Sequence, residues 1–224
     1  MVALDNLSAE EALARLMEGN DRFARNLRSI DSFVTQQHRE ALLSGQKPHT
    51  IIVTCADSRV PAELVFDCGL GELFVCRVAG NVVAPSIIGS VEFAAETFGT
   101  QLVVVMGHTR CGAVSATLSA LSQEQAPVSP NLRDIVDRIA PSVHEFLGLG
   151  LAEDVCLRKA TRSNVRNSAN QLRHGSRILE KLSAEGRLRV VGAEYELETG
   201  RVHFFDGMRP GEVLHIEAPN TTTS

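Results

Sequence analysis

The chain has 224 residues, of which 44% are hydrophobic and 22% are charged. This length suits one α/β domain or two small ones, and it is ample for a buried core. The net charge of −5 gives no general electrostatic case for nucleic acid or an anionic membrane as a partner.

The N-terminus, residues 1–5, lacks the basic and apolar regions of a secretion signal. No apolar stretch approaches the roughly 20 residues that a membrane helix needs. The five cysteines are an odd number in a chain without such a signal, which argues against a disulfide framework. We therefore expect a soluble, cytoplasmic protein whose reduced thiols are available as metal ligands.

Two amphipathic helices are predicted ahead of the first strand. Ser8 and Glu11 form a capping-box pattern, and the apolar spacing that follows predicts a helix over 9–26. A second helix is predicted over 34–44, ending at Gly45. This N-terminal helical arm covers either one face of its own domain or a partner subunit, and both interpretations stay open.

The rest of the chain alternates short apolar strands with helices. Strands are predicted over 50–54, 73–78, 101–106, 188–195 and 201–205. Helices are predicted over 61–66, 86–98, 111–121, 131–147, 151–160 and 162–184. We expect Gly107 to break the third strand, and residues 122–130 to form a polar loop.

This alternation predicts the fold class α/β, with a mainly parallel central sheet and helices on both faces. The last strand follows a turn at 199–200 and is expected to be an antiparallel edge strand. We expect a single domain over 1–224. Its parts are the N-terminal helical arm, the catalytic core and a C-terminal tail, over 1–46, 47–206 and 207–224.

Ligand-capable side chains follow two of the predicted strands. Cys55 comes directly after the first, and His108 and Cys111 come after the third. Sites in parallel sheets form at the carboxyl ends of strands. Two thiolates and one imidazole with an open fourth position are a known ligand set for catalytic zinc, so we predict one Zn²⁺ per subunit. The alternative is that these are buried structural side chains. The other cysteines are expected to be structural, namely Cys68, Cys76 and Cys156.

Asp57 and Arg59 follow the first predicted ligand closely. The Asp57 carboxylate could occupy the fourth coordination position and close the site. It could instead pair with Arg59, whose guanidinium suits a bidentate carboxylate, and accept a hydrogen bond from zinc-bound water. A third interpretation makes Asp57 a cap for the helix near Pro61.

Two motifs carry most of the specificity of this sequence, C-x-D-S-R at 55–59 and G-H-x-x-C-G at 107–112. In these motifs the chain resembles the β-class carbonic anhydrases. The segments 71–81 and 190–195, and the Gln-Lys-Pro at 46–48, are also similar to that family. The resemblance covers nearly the whole chain.

The resemblance implies reversible hydration of CO₂ to bicarbonate and a proton, by attack of zinc-bound hydroxide. It also implies that Cys55, His108 and Cys111 are the zinc ligands, and that Asp57 and Arg59 act in catalysis. Two thiolates donate more negative charge than imidazoles would, so we expect activity to be favoured at mildly alkaline pH.

The resemblance further implies a substrate pocket at a subunit interface, lined by Gln46, Phe74, Phe93 and Gly112. Plain core packing is the alternative for the two phenylalanines. One subclass of the family closes zinc with its aspartate and has Trp three residues before the first cysteine. Ile52 stands there in this chain, which favours the open type. The family assembles through its N-terminal helices and sheet edges, which implies a homodimer or homotetramer.

Three other interpretations compete with this one. The same site could act on carbonyl sulfide or carbon disulfide, or Asp57 could permanently close a structural zinc site. A basic stretch could bind nucleic acid, although its helical spacing and the net acidity favour a solvated face. That stretch comprises Arg158, Lys159, Arg162, Arg166, Arg173, Arg177 and Lys181.

Overall fold

The protein is built on one five-stranded sheet in the order β2-β1-β3-β4-β5. The computed structural model describes residues 6–30, 35–122 and 129–210. The strands are β1 (Thr50–Thr54), β2 (Leu73–Arg77), β3 (Leu102–His108), β4 (Arg189–Tyr195) and β5 (Val202–Asp206). The first four strands pair in parallel, and β5 pairs with β4 antiparallel. The predicted parallel sheet with an antiparallel edge strand is confirmed.

The helices lie between and around these strands. They are α1 (Ala9–Ala24), α2 (Gln36–Ala41), α3 (Ala62–Val65), α4 (Pro85–Phe98), α5 (Gly112–Ser122), α6 (Pro130–Val143), α7 (Glu153–His174) and α8 (Arg177–Ala184). Short 3₁₀ turns cover 42–44, 79–81 and 144–146. Within the described ranges, no helix is long and apolar enough to cross a membrane.

Both faces of the sheet are covered, because alternate residues of the central strands enter two different cores. Ile52, Val104 and Met106 pack in a cluster that also contains residues of α1 and α3. Val53 and Val105 pack in a second cluster with residues of α4, α7 and α8. β1 and β3 are buried along their whole length, as expected for parallel strands with helices on both sides.

The prediction that Gly107 breaks the third strand is wrong. β3 continues through Gly107 and His108, which pair with Glu194 and Tyr195 of β4. A β-carbon added to Gly107 would lie 2.6 Å from Cγ2 of Val165 on α7. Glycine is therefore required here by the close approach of a helix. The strand carries His108 to its final position.

The helix boundaries after residue 150 also differ from the prediction. Residues 153–174 form one continuous helix, whereas helices over 151–160 and 162–184 were expected. The break comes at Gly175, and Ser176 caps α8 by accepting a hydrogen bond from the Leu179 amide. The cap at Ser176 therefore sets the boundary between α7 and α8. The boundary expected near residue 161 is absent, because buried Thr161 lies inside α7.

The two helices of the N-terminal arm differ in how they are packed. α1 begins at the predicted capping box and buries Leu13 and Leu16 in the core of its own domain. α2 buries no residue, and Leu43 just after it is 86% exposed. The arm therefore covers its own sheet with α1 and leaves α2 on the surface. Parts of four predictions lie outside the described residues, namely the start of the arm, the start of its second helix, most of the polar loop and most of the C-terminal tail.

Candidate metal centre

The candidate ligands meet at the carboxyl ends of β1 and β3, which are neighbours in the sheet. Thr54 at the end of β1 pairs with Met106 of β3. Cys55 follows Thr54 directly, and His108 ends β3 on the same edge of the sheet. Cys111 lies one residue before α5, and the short turn after β3 returns it to this edge.

The ligand atoms of Cys55, His108 and Cys111 all lie within 4.8 Å of one another, and all three residues are buried. In the part of the chain that the structure describes, this is the one group of three such side chains placed to hold a metal ion. Two sulfurs and one imidazole nitrogen are a donor set that favours zinc over magnesium or calcium.

His108 has one ring nitrogen engaged and one free. Nδ1 lies 2.9 Å from the backbone carbonyl oxygen of Thr109. Because a carbonyl oxygen only accepts, Nδ1 donates and Nε2 presents a lone pair. Nε2 is buried and has no hydrogen-bond partner. An orphaned buried acceptor beside two sulfurs is what a zinc ligand requires.

The thiols of Cys55 and Cys111 have pKa values shifted in opposite directions. A hydrogen bond from the Cys111 thiol lowers the pKa of Cys55, and hydrogen bonds from the backbone amides of Asp57 and Gly80 lower it further. The same Cys55–Cys111 bond, together with burial, raises the pKa of Cys111. These opposite shifts favour ionisation of Cys55 over that of Cys111, and a bound cation would favour ionisation of both thiols.

Asp57 lies beside these ligands but is engaged by Arg59. Its Oδ1 accepts from the Arg59 amide and Nε, each at 2.9 Å, and its Oδ2 accepts from Arg59 Nη2 at 2.7 Å. Oδ2 is 3.9 Å from His108 Nε2. These hydrogen bonds from Arg59 hold the pKa of Asp57 well below its usual range. The N-cap of α3 is Pro61, with no side-chain cap bond, so Asp57 does not cap that helix.

Further contacts around the site were not found from the sequence. Arg77, at the end of β2, donates from Nε to the Cys55 carbonyl at 3.0 Å and from Nη2 to the Asp57 carbonyl. The Gly80 amide donates to Cys55 Sγ at 3.4 Å, and buried Asn164 of α7 donates to the Gly80 carbonyl at 2.7 Å. No local pattern marks these contacts, since they join separate elements.

The predicted pocket residues fall into two places. Gly112 begins α5 directly after Cys111 and is exposed. Gln46 is exposed and precedes β1, so it lies beyond the opposite end of a five-residue strand that spans roughly 17 Å. Phe74 packs against Phe93, with ring centroids 6.3 Å apart, and 53% of Phe93 is exposed. The structure thus does not bring Gln46 to the ligands of its own chain.

All five cysteines lie in described parts of the chain and are free thiols. Cys68 and Cys76 are buried away from the ligand group, and burial raises the pKa of Cys68 to about 12. Several side chains of the basic stretch form ion pairs within the chain. Arg158 and Arg162 both contact buried Glu194.

Comparison with known proteins identifies the family. The carbonic anhydrase family profile matches residues 50–202. Carbonic anhydrase 2 of Mycobacterium tuberculosis is 38% identical over 198 residues, which cover 88% of this chain and 93% of the relative. A carbonic anhydrase of Pseudomonas aeruginosa is 32% identical, covering 91% and 92% of the two chains.

Solved structures agree with the sequence relatives. The β-carbonic anhydrase of Coccomyxa, solved in complex with acetazolamide, superposes with a TM-score of 0.67 at 26% identity. The match covers 88% of this chain and 89% of the Coccomyxa chain. The order of strands, the ligand group at the ends of β1 and β3 and these relatives lead to one conclusion. The chain belongs to the carbonic anhydrase family, in its β class.

Proposed function

We propose that this single α/β domain catalyses the reversible hydration of CO₂ to bicarbonate and a proton with one Zn²⁺ per subunit. Hydration of CO₂ is the general reaction of the family to which the chain belongs. The observation that carries the zinc-dependent mechanism is the buried group Cys55, His108 and Cys111, with the Asp57–Arg59 pair beside it. Zinc in such a site supplies Lewis-acid activation of water near neutral pH.

The ligand residues fit this ion for chemical reasons. Two sulfurs and an imidazole nitrogen that lie within 4.8 Å of one another suit a small divalent cation that binds thiolate and imidazole ligands, such as Zn²⁺. His108 offers Nε2 because Nδ1 is fixed by the Thr109 carbonyl. The amide of Gly80 donates to the Cys55 sulfur, which moderates the charge on that thiolate.

Asp57 and Arg59 have the positions needed to orient the reacting water. Arg59 keeps the Asp57 carboxylate ionised and directs Oδ2 toward the ligand group. A carboxylate held there accepts a hydrogen bond from water, which aims a lone pair at the carbon of CO₂ and can take part in moving the released proton. We propose the open arrangement, in which Asp57 pairs with Arg59, and buried Ile52 fits this type.

We propose that a second copy of the chain completes the substrate pocket. Gln46 lies before β1, Phe74 pairs with Ile51 four residues before Cys55, and Phe93 packs against Phe74 with 53% of its surface exposed. Pairing two chains, as a homodimer or within a homotetramer, would let these side chains line the partner's site beside Gly112. The exposed α2 and Leu43 are suited to the same interface.

The proposed setting is the cytoplasm, with CO₂ and bicarbonate as the small-molecule partners. Cys55 and Cys111 bind a metal only as reduced thiolates, and the cytosol keeps thiols reduced. No nucleic-acid or membrane partner is proposed, because cations of the basic stretch such as Arg162 and Arg173 pair with acidic groups of the same chain.

Stopped-flow CO₂ hydration across pH, with zinc content measured on the same sample, tests this proposal. We expect one zinc per subunit and a rate that rises toward mildly alkaline pH. Bound zinc without hydration at any pH from 6 to 9 would contradict the proposal and favour a structural zinc site. Sulfide release from carbonyl sulfide, without CO₂ hydration, would assign the same site to a different substrate.

A further inference from the structure

The turn that follows β3 is held by the turn that joins β4 to β5. The Thr109 amide donates to the Tyr195 carbonyl at 3.0 Å, which extends the β3–β4 pairing by one residue. The Leu197 amide donates to the Thr109 hydroxyl at 3.0 Å, and this hydroxyl donates to Oε2 of Glu198, also at 3.0 Å. Thr109 is thus fixed by both its backbone and its side chain.

Glu198 also holds the next residue. Its Oε1 lies 2.7 Å from Arg110 Nη2. Arg110 has a φ of 56°, a left-handed conformation that non-glycine residues adopt only when their surroundings enforce it. The side chains of Arg110 and Glu198 are 71% and 44% exposed, and an ion pair this exposed adds little to global stability. Its effect is on the local conformation of the turn.

The backbone of this turn contacts the metal centre from two sides. The Thr109 carbonyl accepts from His108 Nδ1 at 2.9 Å. The Arg110 carbonyl accepts from Arg59 Nη2 at 3.4 Å, and the same nitrogen holds Asp57. Two successive carbonyl groups therefore orient the imidazole ligand and the arginine that positions the carboxylate.

We propose that Glu198 is a positioning residue for the metal centre, acting through Thr109 and Arg110 on the orientation of His108 and Arg59. Its contacts are with Thr109 and Arg110, and it is not one of the three ligand residues. Its effect on turnover rests on the proposed function, whereas its effect on zinc retention does not. Outer partners of metal ligands typically change metal affinity or activity by 10- to 100-fold.

The first test compares Glu198→Ala with Glu185→Ala. Glu185 is a matched control, because it is 39% exposed and pairs with Arg187 in a turn at the end of α8. We expect Glu198→Ala to release zinc to a chelator several-fold faster and to lower kcat/KM for CO₂ about tenfold when zinc-loaded. The control should stay within about twofold of the wild type in both measurements.

A second test separates positioning from a merely structural role. Glu198→Gln keeps one acceptor oxygen, which can bind either the Thr109 hydroxyl or the Arg110 guanidinium, and it should recover part of the lost zinc retention. A double-mutant cycle with Arg59→Ala should be non-additive, because Glu198 acts partly through Arg59. Melting temperatures of the single variants should match within about 3 °C, which follows from the exposure of the pair.

Equal zinc release and equal kcat/KM in Glu198→Ala and Glu185→Ala would overturn the inference. Strict additivity with Arg59→Ala would remove the route through Arg59. If the wild-type protein bound zinc but did not hydrate CO₂, the proposed function would fall, and the comparison of zinc release would still decide the role of Glu198.

Discussion

Asp57 and Arg59 face each other fork to fork, with Arg59 Nε 2.9 Å from Oδ1 and Nη2 2.7 Å from Oδ2. Both carboxylate oxygens are thereby engaged while Oδ2 stays 3.9 Å from the Nε2 atom of His108. Arg59 thus keeps the Asp57 carboxylate ionised at the edge of the ligand group. Under the proposed function, metal binding and catalysis then rest on different residues, which can be tested by substitution.

We expect Asp57→Ala to keep zinc but to lose most CO₂ turnover, by roughly a hundredfold or more, because the group that orients the reacting water is gone. Stopped-flow assays with zinc analysis on the same sample measure both quantities. Asp134→Ala is the control, since Asp134 forms a similar two-point pair with Arg138 on α6. Full turnover in Asp57→Ala would remove the role given to this carboxylate.

Cys111→Ser should lose both zinc and activity. A serine hydroxyl at neutral pH does not replace a thiolate, and the remaining Cys55 and His108 give too few ligands for a structural or catalytic zinc site. Zinc per subunit, measured by atomic absorption after gel filtration, checks this. Cys156→Ser is the matched thiol control, because Cys156 is half-buried on α7 outside the ligand group, and it should retain zinc.

His49 makes the stability of the fold depend on pH. Burial, with a smaller effect from the Arg15 charge, lowers the pKa of His49 to about 4, and its buried Nε2 has no partner. The unfolded chain therefore takes up a proton near pH 6.5 that the folded chain refuses until about pH 4. Stability from this group is complete at pH 7 and is lost as the pH falls through that window.

Denaturant unfolding of wild type and His49→Gln at pH 7 and pH 5 measures this effect. Between these pH values, the wild type should lose about 2 kcal/mol more unfolding free energy than the variant does. Both proteins should carry the same amount of zinc, since the metal adds its own pH dependence. Parallel losses in the two proteins would show that His49 is protonated in the folded state.

Gly107→Ala should destabilise the protein by about 1–3 kcal/mol through overpacking. The added methyl group would lie 2.6 Å from Val165 Cγ2 and 3.2 Å from Thr161 Cγ2. Urea unfolding measures the cost. Combining the change with Val165→Ala removes the nearest atom, so the double variant should lose less than the sum of the single ones. If the two destabilisations were simply additive, the cost of Gly107→Ala would not come from a clash with Val165.

Phe93→Glu should dissociate the proposed oligomer and lower CO₂ turnover, because in our proposal side chains from a second copy complete the pocket. Leu132→Glu is the control, since Leu132 on α6 is equally exposed, at 53%. Sedimentation velocity gives the state of assembly, and stopped-flow assays give the turnover. A Phe93→Glu protein that stays assembled, or a monomer of full activity, would contradict the shared pocket.

The ligands were predictable because strand ends are visible in a sequence. Cys55 follows an apolar β-branched run, and His108 and Cys111 follow another, so a parallel sheet predicts that they meet. The continuation of β3 through Gly107 was not predictable, because glycine in a sequence usually weakens a strand. Only the close approach of Val165 explains why glycine stands at this position. Tertiary packing decides that position.

The support of the site was hidden for a different reason. Glu198 contacts Thr109 and Arg110 only because β3 and β4 pair in one particular register. Nothing local to Glu198 distinguishes it from other turn residues. The same holds for Asn164, which reaches the Gly80 carbonyl from the middle of a helix whose bounds were predicted wrongly. Contacts that depend on register need the assembled sheet.

β3 lies between β1, which precedes it in the chain, and β4, which follows it much later. All three ligands leave the ribosome before α7 and β4, which come from the last third of the chain. Pairing between distant segments is the slow part of folding. A nascent chain can pair β1 with β3 before β4 is made. The turn between His108 and Cys111, however, gains its contacts with Tyr195 and Glu198 only when synthesis is nearly complete.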